Sequence, residues 1–404
     1  MGKKVIVCQL GSRHRYLIPK VINDSGMLYR LYTDSTAYSF IGKVALLLDK
    51  ICKVPQSVKR LTKRIPAIPK SRLFSTDLFF FRETFLKCKT KDKFAHIASY
   101  YNGIGKECIK WGLGDCDCIY NMYIENIDFL RYAKANGKKV VVDIYEVPTT
   151  YGYLVKEIDN NKEYACLNDT KTEYLAQDKI RMELMDEILN LADFYTVPSK
   201  FVIKSLSYFR NFNPSKVLYL PYASSIKPTD YSYKPVKHRL IWVGNDVVRK
   251  GLLYCAKAAS ILKKKYPDLD FRIIGCVPDN IKRSEYFSDL NFLGVLSKPE
   301  LQEEYRSAEA YVFPTLFEGF AGTIIEAASC GCPIITTECA GTDPDVFPAI
   351  YIPTHDVNSI IDAVTNIFEN SNMRNELSQK VYGYSSNLSP ETYKENLIGY
   401  LKKI

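Results

Sequence analysis

Two glutamates eight residues apart, Glu318 and Glu326, bracket a stretch, Gly319-Phe320-Ala321-Gly322-Thr323, that ends where an apolar helical pattern begins. Glycines at 319 and 322 let the backbone approach a ligand closely. The first amides of a helix opening at Thr323 have no partner within that helix and carry partial positive charge, which suits a phosphate. Glu326, one turn in, is placed to accept hydrogen bonds from both hydroxyls of a ribose, as acids do in dinucleotide folds. A carboxylate there is also favoured by the helix dipole alone. Glu318, on the loop, reaches further, toward a sugar. A second loop, Val243-Gly244-Asn245-Asp246-Val247-Val248-Arg249-Lys250-Gly251, follows a strand pattern and opens a helix. Amides and two cations meet there at a helix N-terminus, an anion site, or else a solvated basic turn. It lacks the Gly-x4-Gly-Lys-Ser/Thr pattern, which argues against a nucleotide hydrolase.

The elements around these loops alternate. In the second half, strand patterns fit Leu240–Val243, Phe271–Ile274, Ala310–Phe313, Pro333–Thr336 and Ile350–Ile352. Helical patterns fit Gly251–Lys265, Pro299–Ala308, Thr323–Cys330 and Val357–Asn370. Such alternation predicts a parallel sheet covered on both faces, with ligands beyond the carboxyl ends of its strands. The first half shows strands at Lys4–Leu10, Cys118–Met122 and Lys139–Val142, a strand and then a turn over Ala192–Ser199, and closes at Val217–Leu220 and Pro221. A charged, mostly helical piece spans Tyr151–Leu191, and Ser199 is placed to cap a helix. Residues 223–237, polar and Pro-containing, are the expected linker.

The chain has 404 residues, 47% hydrophobic and 25% charged, which suits a soluble protein of two domains. No apolar run approaches a spanning helix, and the N-terminus fits neither a signal peptide nor a myristoylation signal. Twelve scattered cysteines without a Cys-x2-Cys pair and only four histidines argue against a metal site. Reduced thiols and a cytoplasmic setting are expected. The net charge of +10 is concentrated between Lys43 and Arg72, where nine Lys/Arg face one acid, followed by Leu78-Phe79-Phe80-Phe81. This suits peripheral contact with anionic lipid, or equally a solvated basic face. No nucleic-acid recognition module appears.

The Glu318–Glu326 segment, continuing as Glu326-Ala327-Ala328-Ser329-Cys330-Gly331-Cys332-Pro333-Ile334, resembles the Glu-x7-Glu signature of the retaining glycosyltransferase family 4. The Val243–Gly251 loop, Phe292-Leu293-Gly294 and Ser297 through Tyr305 resemble that family too, in the right order. The resemblance implies an α/β GT-B fold, two Rossmann-like domains facing across a cleft. Residues 1–222 would hold the acceptor and 238–386 the nucleotide-sugar, with 387–404 crossing back as a helix. It implies that Lys250 binds the donor diphosphate beside Gly244, that Glu318 contacts the donor sugar, and that Glu326 holds the ribose. Amides across Gly319, Phe320, Ala321, Gly322 and Thr323 would hold phosphate and sugar, the backbone near Val295 would meet the base, and Gly11 would line the cleft. Two departures stand out. Asn245 replaces a frequent Arg, with Arg249 as substitute, and no His follows the Lys139–Val142 strand, leaving His14, Asp143 or Glu146 as stand-ins. The implied reaction is retaining, metal-independent transfer from a nucleotide-sugar to a glycan or lipid-linked acceptor in surface polysaccharide assembly. No cofactor is expected. The alternatives are a nucleotide-sugar epimerase and a non-catalytic nucleotide-sugar-binding subunit.

Overall fold

The computed structural model describes residues 2–52, 54–89, 93–148, 150–224 and 230–404. Lys53 and the centre of the expected linker, 225–229, lie outside the described residues. Among the described residues thirteen strands follow one another: β1 Val5–Gln9, β2 Leu28–Thr33, β3 Leu73–Ser75, β4 Cys118–Met122, β5 Lys139–Asp143, β6 Phe194–Val197, β7 Val217–Tyr219, β8 Arg239–Val243, β9 Asp270–Ile274, β10 Asn291–Gly294, β11 Ala310–Phe313, β12 Ile334–Thr336 and β13 Ile350–Tyr351.

They form two sheets, one of seven strands in the order β3-β2-β1-β4-β5-β6-β7 and one of six in the order β10-β9-β8-β11-β12-β13. Every pairing is parallel, for example Val5 beside Cys118 and Leu240 beside Ala310. Helices cover both faces, so central strands are apolar in both side-chain directions. Val5–Gln9 and Ala310–Phe313 are buried at every position. In each sheet the order reverses beside the first strand, β1 or β8, where a crevice opens beyond the carboxyl ends. The loops after β1, β4 and β5 thereby confront those after β8 and β11.

Local chemistry sets the element ends. Ser199 Oγ accepts from the Val202 amide at 3.1 Å and starts helix Lys200–Leu206. Ser297 and Glu300 form a capping box at helix Lys298–Ser307. Gly137, at φ 69°, follows the end of helix Ile127–Ala135.

The two halves exchange segments. Helix Pro390–Lys403 returns to the first sheet, burying Tyr393, Leu397, Ile398 and Leu401 against Val5, Val7 and Ile22. In the other direction, the chain between β5 and β6 leaves the first sheet. Leu154, Ile158, Tyr164 and Leu167 lie in the core of the second, with Trp242, Leu253 and Phe313. The buried Tyr164 hydroxyl donates to the Val247 carbonyl at 3.0 Å and accepts from the Leu253 amide at 3.1 Å. Glu157 accepts from the Tyr254 hydroxyl and lies 3.3 Å from His355. Residues 1–222 therefore do not pack as one body: apolar side chains on one face of 151–170 find their partners in the second half.

Candidate active site

The loop after β8 is shaped by what its glycines leave out. A Cβ on Gly244 would overlap the Lys250 side chain, which folds back over the strand end. Gly251, at φ 68°, lies so close to Pro314 that a Cβ would strike its carbonyl oxygen. The Arg249 carbonyl accepts from the Leu316 amide at 2.8 Å and from Thr315 Oγ1 at 3.0 Å, fastening this loop to the one after β11. Trp242 Nε1 donates to the Lys250 carbonyl at 3.0 Å.

Both cations of the loop converge on Glu318. The Arg249 guanidinium lies 2.5 Å from Oε2 of Glu318 and 3.2 Å from Oδ2 of Asp246. Lys250 Nζ lies 3.3 Å from Oε1 of Glu318 and 4.8 Å from the centre of the Phe313 ring. Burial works to raise the Glu318 carboxyl, but Lys250 and Arg249 outweigh it and hold the group below its ordinary value. It is thus an anion shared between two cations.

The helix expected at Thr323 spans Gly322–Ser329, and no side chain caps it. Thr323 Oγ1 lies 2.8 Å from the Tyr311 hydroxyl, which reaches the Val243 carbonyl at 3.4 Å. One tyrosine therefore ties the amide end of this helix to the start of the lysine loop. A Cβ on Gly322 would meet nothing within 4 Å, so that side is open. Glu318 and Ala321 donate their amides to the carbonyls of Cys339 and Ala340 at 2.7 and 3.0 Å. The expectation that the Ala321 amide holds a phosphate is corrected on this point. Phe320 meets Tyr222 edge-on at 6.0 Å. Glu326 is half-buried one turn in. Burial and Arg15 push the nearby Lys298 ammonium below its ordinary value, and Glu326 acts the other way.

Facing this wall is a cavity of about 490 Å3, lined by Arg13, Tyr123, Tyr145, Glu146 and Arg181 from one side and Arg249, Glu318 and Phe320 from the other. A Cβ on Gly319 would overlap the Tyr145 carbonyl oxygen, so this glycine is where the two halves close on each other. Arg181 Nη2 lies 2.9 Å from Glu146, and its Nε donates to the Tyr101 hydroxyl at 2.5 Å. The turn leaving β1 is strained: His14, Arg15 and Tyr16 have φ of 45°, 53° and 60°. Each such residue costs roughly 1–2 kcal/mol.

The three stand-ins for the absent histidine divide. Asp143 is fully enclosed, accepting from Thr196 Oγ1 at 2.8 Å and from the Tyr222 hydroxyl at 3.4 Å; burial raises it to about 6. It buttresses the cleft floor. His14 lies with its ring 4.3 Å from that of Tyr222, and enclosure together with Arg13 lowers the imidazole to about 4. Glu146 alone lines the cavity.

Two further expectations, for Gly11 and Asn245, are redirected. Gly11, at φ 66°, donates its amide to Asp34 at 2.8 Å and faces Arg64; the residue of its loop that lines the cavity is Arg13. Asn245 turns away from Lys250, accepting through Oδ1 from the Cys276 amide at 2.8 Å, so it braces the loop after β9. Val295 follows β10 at the sheet edge and is 75% exposed, outside the lining of this cavity. Arg181 and the tyrosines went unread in the sequence, because they come from elements that only the fold brings together. Among the described residues no group of three or more His, Cys, Asp or Glu is arranged to hold a metal ion.

Residues 237–370 match the model of the family described as glycosyl transferases group 1. The D-inositol 3-phosphate glycosyltransferase of Paenarthrobacter aurescens is 24% identical over 42% of this chain and 46% of its own length. The 2-deoxystreptamine N-acetyl-D-glucosaminyltransferase of Niallia circulans is 28% identical over 35% of this chain and 39% of its own. The match thus spans less than half the length of these curated relatives. Among solved structures, sucrose-phosphate synthase from Thermosynechococcus elongatus superposes with a TM-score of 0.66 at 15% identity, covering 100% of this chain and 99% of that one. The fold is GT-B.

Proposed function

We propose, from the premise that this is a GT-B chain belonging with the group 1 glycosyl transferases, that it moves a sugar from a nucleotide-sugar to a glycan or lipid-linked acceptor. The observation that carries this reading is the convergence of Lys250 and Arg249 on Glu318, just ahead of the uncapped helix Gly322–Ser329, whose first turn Tyr311 ties to the end of β8. A diphosphate arriving there meets helix amides and two cations that share the Glu318 carboxylate, with Asp246 a second partner of Arg249. Release of Glu318 from Lys250 would leave that carboxylate free to bind sugar hydroxyls. The cations and amides are fixed before reaction, so negative charge building on the leaving diphosphate is stabilised without solvent reorganisation. A front-face route follows, in which the leaving phosphate oxygen takes the acceptor hydroxyl's proton and the anomeric configuration is retained. It requires neither a protein nucleophile nor a divalent metal, and transfer is expected to persist in EDTA. Glu326 is assigned the ribose, and the backbone at Val295 the base.

The acceptor side suits assembly of a surface polysaccharide at the cytoplasmic face of a membrane. Helix Phe40–Ile51 exposes Phe40 and Ile51 at 74% and 72%, with Leu47 between them and Lys43 and Lys50 beside them. A helix with this exposed apolar edge and Lys43 and Lys50 against one acid, Asp49, fits the interface of an anionic bilayer. Among the described residues no helix is long and apolar enough to cross one.

The test is a thermal-shift panel of nucleoside diphosphates and their sugars, followed by product analysis with the best donor. A binder raises the melting temperature by mass action. Stabilisation by a nucleoside diphosphate and an α-linked product from an α-linked donor are expected. No stabilisation by any of them, or an inverted product, would overturn the reading.

A further inference from the structure

The first-half wall of the cavity contains a cation that the donor chemistry does not use. Arg13 lies flat on Tyr145, its guanidinium carbon 3.4 Å from the ring centre, and its Nε has no hydrogen-bond partner. The other arginines of this cavity each hold a carboxylate: Arg181 holds Glu146 at 2.9 Å and Arg249 holds Glu318 at 2.5 Å. His96 sits 3.0 Å from Glu83, and Glu173 completes the charged lining. Among the described residues Arg13 has no carboxylate at ion-pair distance. The buried carboxyl that bears on it electrostatically, Glu125, is raised by burial to about 7 and so offsets the arginine only in part.

The backbone adds an independent observation. Three consecutive non-glycine residues after Arg13 hold positive φ, and strain of this kind persists where the surroundings fix a functional geometry. Here the turn sets Arg13 over Tyr145 and into the cavity, while His14 is turned onto Tyr222. A stacked guanidinium has its plane fixed by the ring and presents its remaining N–H groups as a rigid fork, which matches the paired oxygens of a carboxylate or phosphate. The tyrosines at 100, 101, 123 and 151 supply flat apolar faces and hydroxyls, which suit a sugar ring.

We propose that the acceptor is a sugar carrying an oxyanion, a carboxylate or a phosphate, and that Arg13 grips this group so that the acceptor hydroxyl faces Glu318. The proposal rests on the glycosyl-transfer reading for the identity of the site, but its recognition step is separate from donor binding. Arg13 is then a specificity residue of the acceptor subsite, and Tyr145 its platform.

The test is equilibrium binding to the full chain, followed by ligand-observed NMR. The probes are para-nitrophenyl glucuronide, the para-nitrophenyl glucoside phosphorylated on its primary hydroxyl, and the neutral para-nitrophenyl glucoside. The anionic probes are expected to bind about tenfold or more tightly than the neutral one, the scale of one charge-assisted hydrogen bond. Whichever anion binds better identifies the source of the oxyanion. Arg13→Gln should abolish the difference, and Arg13→Lys should keep part of it. Nucleoside diphosphate binding and the melting temperature of both variants should stay at the parent values, which shows that the fold and donor site are intact. Equal binding of neutral and anionic probes, a preference that survives in Arg13→Gln, or no binding of any probe overturns the proposal. If the nucleoside diphosphate also fails to bind, the glycosyl-transfer reading falls with it; if it binds, only the acceptor class is lost.

Discussion

On the cleft wall made by residues 244–251 and 314–323, the charged side chains are paired and the backbone is pinned. Arg249 and Lys250 share Glu318, Asp246 holds Arg249, and two bonds to the Arg249 carbonyl join the loops. The opposite wall is aromatic, draws on residues from 13 to 181, contains a strained turn and leaves Arg13 without a carboxylate. The first arrangement suits one invariant group, a diphosphate, which any nucleotide-sugar brings. The second suits a partner whose shape and charge are particular to this chain. On the proposed reaction, paired preorganised charge would serve the group that donors share, and the aromatic wall with its unpaired Arg13 the group that is particular to the acceptor.

The comparison breaks first at Lys250. Lys250→Ala and Glu326→Ala are each expected to lower donor-dependent transfer by about 10²-fold or more. Near-normal turnover in a purified, folded variant would show that the rigid wall is not where the diphosphate sits. Next comes Gly319, where the walls touch. A methyl group there must push the Tyr145 carbonyl aside, and misplacement on the scale of 1 Å costs about 10- to 100-fold. Steady-state kinetics of Gly319→Ala should show that loss with donor binding largely retained. A parent-like rate would mean that the walls need not be in register.

Beneath the aromatic wall, Glu125 sharpens the contrast through pH. Burial raises its carboxyl in the fold from 4.5 to about 7. The folded state therefore holds the proton more tightly than the unfolded chain does. This group's contribution is fully present at low pH and is lost as pH climbs from about 4.5 through about 7. Urea unfolding of Glu125→Gln across that window should lack a decline on the order of 3 kcal/mol that the parent shows. Parallel curves would place the carboxyl in a wetter site. The smallest effect is expected at Asn245. Asn245→Ala loses one hydrogen bond to the Cys276 amide, about 1 kcal/mol of stability, with less than a twofold change in transfer. A large kinetic loss would return Asn245 to the diphosphate.

Much of the rigid wall was legible in the sequence because it is local. Strand, glycine turn and helix start follow one another within 244–251 and again within 314–323, and the alternation around them placed β8, β9, β11 and β12 to within one or two residues. The first half resisted where the chemistry was disguised. Leu28–Thr33 contains Tyr29, Arg30 and Tyr32, which blur the apolar pattern of a buried strand. In the fold Arg30 reaches the Trp111 carbonyl at 2.9 Å and stacks near Tyr29 and Phe74. Leu73–Ser75 is three residues long and follows basic residues that read as a surface patch. In that patch Arg64 is committed to Asp34 at 2.8 Å and Arg72 to Asn23 at 3.0 Å, so only part of the charge remains at the surface. The aromatic wall was least legible, since nothing in the spacing of Arg13, Tyr123, Tyr145 and Arg181 says that they meet. Nor does spacing reveal that Tyr164 belongs to a core whose strands begin seventy-five residues later, at Arg239.

That last feature bears on how the molecule is made. The first sheet waits for fourteen residues at the far end of the chain, and the second borrows a segment delivered long before its own strands. The first hydrophobic interior cannot be completed on the ribosome until Pro390–Lys403 has emerged, nor the second until its own strands have followed the borrowed segment. Expression of either half alone should therefore yield an aggregation-prone fragment, and co-expression of the two should restore solubility only when each carries the stretch that the other lacks.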